Sequence, residues 1–96
     1  MQKFIITTSG ELIFGDVEYH KDLIPWGENT CFGGGFWKVN HSRGCIELYG
    51  RSFDFGAADM DDVRRINWNG IGGKPVPLFY YPNYPDLDDA TPVFAK

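Results

Sequence analysis

Two short stretches hold the side chains best able to do chemistry. The first is VEYHKDL, where His20 lies between Glu18 and Asp22. An imidazole with an ordinary pKa of about 6.5 exchanges a proton near neutral pH, so it can act as base or nucleophile. The second is YGRSFDFGAAD, which holds Arg51, Ser52, Phe53, Asp54 and Gly56. A strand ending near Ser52 and a helix starting near Asp59 predict a loop with unpaired N–H groups at the positive end of a helix dipole. Such a junction binds anions. Ser52 adds a hydroxyl, Gly56 lets the backbone curl, and Arg51 can pair two phosphate oxygens.

Other reactive types carry weaker patterns. Cys31 and Cys45 are the only cysteines, and in a reducing compartment they read as free, half-buried thiols. A Cys-Cys-His metal site with His20 or His41 lacks the close spacing such sites use. His41, in NHSRG, reads as part of a solvent-facing turn. Gly33, Gly34 and Gly35 are not followed by the Lys-Ser or Lys-Thr of a nucleotide P-loop. In a strand they point instead to a bulge or a close backbone approach. The acidic run at residues 59–62 suits a helix start before it suits a metal.

The elements that must carry these residues follow from pattern. KFIITT and ELIF read as a hairpin joined by a two-residue Ser-Gly turn. GDVEYHKDLIP predicts a short helix with Asp16 as N-cap, stopped before Pro25. CIELYGRS alternates, with Ile46 and Leu48 on one face and Cys45, Glu47, Tyr49 and Arg51 on the other. Met60, Val63 and Ile66 recur at helical spacing, with acids early and Arg64 and Arg65 late. Residues 67–96 are rich in proline and aromatics; VPLFYY predicts an edge strand, and the remainder an extended drape.

The bulk properties set limits. The chain has 96 residues, which suits one domain at about 100–200 residues each. Nine basic against thirteen acidic residues give a net charge of −4, which argues against nucleic acid as the main partner while leaving room for a local cationic pocket. No apolar run reaches the ~18 residues of a membrane span, and MQKFIITTSG lacks the pattern of a secretory leader. The expectation is a cytoplasmic protein with no membrane partner.

Taken in order, Tyr19-His20, then Gly33-Gly34-Gly35, then Tyr49-Gly50-Arg51-Ser52-Phe53-Asp54-Phe55-Gly56 resemble the Janus/Ocnus family of protein histidine phosphatases. That family has a YH pair, a triple glycine and a YG-x-S-x-x-[YF]-G loop, and a lysine before its first strand, where Lys3 stands in KFII. The resemblance spans roughly residues 3–66. It implies an α/β (α+β) fold: a single mixed sheet of about five strands with two short helices. It also implies hydrolysis of phosphohistidine or a related phosphoramidate, with His20 as base or nucleophile and no metal or cofactor. Lys3, Arg51, Ser52, Phe53, Asp54 and Gly56 would bind the phosphate of a phosphorylated protein or small substrate.

The chain also departs from that pattern. The segment from His20 to Gly33 is short, so the first helix is cut to a turn or two. Asp54 stands where a small neutral residue is usual, and Arg51 where an aromatic is frequent. A carboxylate beside phosphate is repulsive unless it points away or pairs with a cation, and Arg51 is the nearest candidate. Three readings stay open: a phosphatase, a catalytically silent member that binds a phosphorylated ligand or protein, or a structural or interaction protein whose glycine-rich motifs serve packing alone.

Overall fold

Six strands form one mixed sheet in the computed structural model, which describes residues 1–93. They are β1 (Gln2–Ile6), β2 (Leu12–Asp16), β3 (Gly34–Asn40), β4 (Cys45–Tyr49), β5 (Leu78–Tyr81) and β6 (Thr91–Val93). Their order across the sheet is β2-β1-β3-β4-β5-β6. Only β4 and β5 run parallel. The crossover between them carries the α-helix, α1 (Met60–Arg64), as a parallel connection requires a long excursion. A single 3-10 turn spans His20–Leu23. The fold is therefore mostly sheet with very little helix, roughly α+β.

Alternation along the strands separates two faces. Phe4, Ile6, Ile46, Leu48, Leu78 and Tyr80 pack with Val63 and Ile66 of the α1 segment into the apolar core. Each fully buried aliphatic or aromatic side chain there is worth about 1.5–3 kcal/mol. The opposite face holds Lys3, Phe36, Lys38, Glu47, Tyr49 and Tyr81, in register across β1, β3, β4 and β5. The buried Glu47 carboxylate accepts a 2.6 Å hydrogen bond from Tyr81, whose hydroxyl accepts from Arg43 at 3.1 Å. Lys38 and Arg43 each lie 3.9 Å from that carboxylate, so it is not stranded in the interior.

Three expectations need correction. The first hairpin turns through three residues, Thr8, Ser9 and Gly10: Thr7 N–H donates to the Glu11 carbonyl at 2.8 Å, and Gly10 takes the left-handed φ of +86° that such a loop needs. Asp16 ends β2 instead of capping a helix, because the 3-10 turn begins only after Tyr19. There the Asp22 carboxylate accepts from the Tyr19 N–H at 3.3 Å. β5 is an interior strand, because the proline-rich tail supplies β6 as the true edge, where Pro92 does no harm. The sheet expected to have about five strands has six among the described residues. Residues 94–96 of the predicted C-terminal drape lie outside the described residues.

Candidate functional site

His20 owes its position to glycine. A β-carbon on Gly34 would stand 2.2 Å from the Phe4 carbonyl oxygen and 3.2 Å from the His20 ring, so only hydrogen lets β1, β3 and the imidazole meet. The ring, 4% exposed, lies against this bare backbone, edge-on to Phe36 with centroids 5.7 Å apart. His20 Nε2 is 2.8 Å from the Gly35 carbonyl oxygen. A carbonyl only accepts, so Nε2 must donate, and the neutral ring carries its lone pair on Nδ1. Burial pushes the His20 pKa below 6.5; the Gly35 carbonyl opposes this, the Lys3 charge lowers it further, and the Asp54 charge raises it.

Around the ring opens a cleft of about 710 Å³. Lys3, Arg51, Phe53 and Asp54 line it with His20, together with Glu18, Tyr19 and Phe36. Lys3 comes from β1 and is held by the Glu18 carbonyl, to which its ammonium donates. Arg51 and Asp54 come from the loop after β4. Among the described residues their side chains make no hydrogen bond and no ion pair, so Arg51 does not neutralise Asp54 directly. The backbone N–H groups of Phe53 and Asp54 are likewise uncommitted among the described residues. The site therefore offers two cations and two N–H groups to an anion, beside the His20 imidazole and the carboxylates of Glu18 and Asp54.

Ser52 and Gly56 are placed differently from expectation. Ser52 is fully buried, and its hydroxyl oxygen accepts from the Phe55 N–H at 3.1 Å. Its own N–H is shared between the carbonyls of Gly34 at 3.0 Å and Gly56 at 3.1 Å, while Gly56 N–H donates to the Ser52 carbonyl. Neither residue lines the cleft. Together they staple the loop to β3 and so hold up its tip, Phe53 and Asp54. Nor does a helix dipole reach the cleft. α1 starts at Met60, its N-terminus is capped by Asp59, which accepts from Asp61 N–H at 2.8 Å, and no α1 residue is in the lining.

Sequence reasoning missed Phe36, Glu18 and Tyr19 as walls of the site. Phe36 had a usable signal, since it follows Gly34 by two residues and so shares its face. A second groove, of about 380 Å³, lies between Trp68, the 75–79 segment and Pro92. It contains no titratable side chain, and a third hollow, of about 470 Å³, contains only one, Glu11. Among the described residues no three His, Cys, Asp or Glu side chains are grouped to hold a metal ion. Cys31 and Cys45 are buried free thiols, and burial pushes both pKa values up.

A family model described as the Janus/Ocnus family (Ocnus) matches residues 9–69. That is well over half of the chain. The chain belongs to the Janus/Ocnus family. The matched stretch contains His20, the triple glycine and the 51–56 loop, and it ends before β5 and β6. Lys3 stands before it, yet β1 brings Lys3 into the same cleft as the matched residues. No curated protein and no solved structure matches the chain. No helix among the described residues is long and apolar enough to cross a membrane.

Proposed function

We propose that this Janus/Ocnus protein is a small phosphatase of the phosphohistidine (phosphoramidate) type, acting through His20. The observation that carries the reading is the fixed tautomer of a buried imidazole in a cleft that also holds Lys3 and Arg51: Nε2 is held by the Gly35 carbonyl, so Nδ1 is the basic atom. In the reaction a water oxygen attacks phosphorus and the P–N bond breaks, its electron pair passing to the leaving nitrogen. The water proton moves to His20 Nδ1 and then to that nitrogen, which yields the free amine or imidazole and hydrogen phosphate. Lys3, Arg51 and the N–H groups of Phe53 and Asp54 offset the negative charge on the phosphoryl oxygens. The lowered pKa of His20 keeps the base unprotonated near neutral pH. The substrate is a phosphorylated protein or a small phosphoramidate.

A second reading has its own support. Ser52 and Gly56 are committed to the loop, and Asp54 brings a carboxylate into the cleft. Both features suit a silent family member that binds a phosphorylated partner without turnover. Phosphate release from phosphohistidine and from phosphoramidate, by wild type and His20→Ala in chelator-containing buffer, separates the two. The phosphatase reading expects turnover that falls by about 10²–10⁴-fold in the variant. Binding of phosphohistidine by wild type without any release of phosphate would favour the silent binder.

A further inference from the structure

The cleft is not built for a phosphate alone. Glu18 and Asp54 share it with Lys3 and Arg51, and a phosphomonoester dianion would meet two carboxylates with nothing positive to offer them. Asp54 is the sharper case. It is exposed at the tip of a stapled loop, and it lies near enough to His20 for its charge to oppose that of Lys3 there. One aromatic ring in the same cleft lacks cover: Phe53 is 98% exposed, whereas Tyr19 already has the ammoniums of Lys21 and Lys3 over its ring at 5.3 Å and 6.0 Å. A ligand that satisfies all of these groups carries a planar cation directly beside its phosphoryl group.

We infer that the cleft takes N-phosphorylated arginine side chains, and that Asp54 is the residue that reads the cation. A phosphoguanidinium is zwitterionic, with the phosphoryl dianion bonded to a planar, positively charged group. Its phosphoryl end suits Lys3 and Arg51. The guanidinium N–H groups suit the Asp54 carboxylate, which accepts from a planar fork of donors. Its flat face suits the open ring of Phe53, since guanidinium groups stack on aromatic rings. The ammonium of an N-phosphorylated lysine has charge but no plane, and a phosphorylated serine has neither. Asp54 thus selects in two directions, by attracting the phosphoguanidinium and by repelling phosphomonoesters.

This inference rests on the phosphoryl end lying at His20 as proposed above, but not on turnover. The test is calorimetric binding of phosphoarginine and of O-phosphoserine to the full chain carrying His20→Asn, with and without Asp54→Asn. Asp54 being exposed, its substitution leaves the core untouched. With Asp54 present, phosphoarginine should bind at least about tenfold more tightly than phosphoserine, and Asp54→Asn should remove most of that ratio. A ratio near one with Asp54 present, a ratio unchanged by Asp54→Asn, or no binding of phosphoarginine would overturn the proposal. Preference in binding without phosphate release by wild type would count against the phosphatase reading alone. Release from phosphohistidine with no Asp54-dependent preference would count against this inference alone.

Discussion

At the scale of single residues, the chemistry of the cleft turns on the protonation of His20. The folded protein holds this imidazole below its ordinary pKa of about 6.5, chiefly by removing it from water. The unfolded chain therefore binds the extra proton first as pH falls. His20 contributes stability that is fully present above pH ~6.5 and is lost as pH drops through the lowered folded value. The prediction is that the urea midpoint of wild type declines between pH 7.5 and 5.5 more steeply than that of His20→Gln, which has no proton to gain. Parallel declines would mean that the ring is not held neutral. Of the other residues singled out by sequence, Lys3, Arg51, Phe53 and Asp54 do meet His20 in one cleft, whereas Ser52 and Gly56 support it from behind. Sequence could place Ser52 in the loop but not tell a ligand-facing hydroxyl from a structural one. That difference depends on where the Phe55 N–H and the Gly34 carbonyl fall once β3 and the loop are packed.

At the scale of elements, the triple glycine is the hinge between fold and site. A side chain at Gly34 or Gly35 would drive into the carbonyl oxygen of Phe4 or Tyr49, at 2.2 Å and 2.3 Å. β3 is thereby sandwiched closely between β1 and β4 while giving His20 its seat. Gly34→Ala is expected to destabilise the protein by at least ~1–3 kcal/mol, a fall of several degrees in Tm measured by thermal melting at about 4–8 °C per kcal/mol. An unchanged melting temperature would contradict this packing. The hairpin, the alternation of β4 and the α1 segment were legible because each has a local signal: Gly10 for a turn, period two in CIELY, and Val63 and Ile66 facing the core at helical spacing. The 3-10 turn was legible as a first helix cut to a turn or two, though not where it starts, and β6 was not legible. His20–Leu23 lacks an apolar stripe, and TPV is three residues with a central proline, so both exist through tertiary partners and not through propensity.

At the scale of the whole molecule, division of labour between the two faces of one sheet explains how a small acidic chain sustains a charged cleft with two cations. One face carries the apolar core against the α1 segment. The other carries Lys3, Phe36, Lys38 and Glu47, with the 3-10 turn and the 51–56 loop rising around His20. Segments far apart in sequence converge there because β1 lies between β2 and β3, and β4 beside β3. The order of the motifs along the chain foretold which segments would meet. It did not foretell which way each side chain would turn. The most direct test of the central claim is nitrogen-resolved NMR of the His20 ring, with titration of pH and then of inorganic phosphate. The account predicts a neutral ring near pH 7, protonated on Nε2 with Nδ1 free, a titration midpoint below 6.5, and a shift of the Nδ1 signal when phosphate is added. A ring protonated on Nδ1, or one whose signals ignore phosphate, would contradict it.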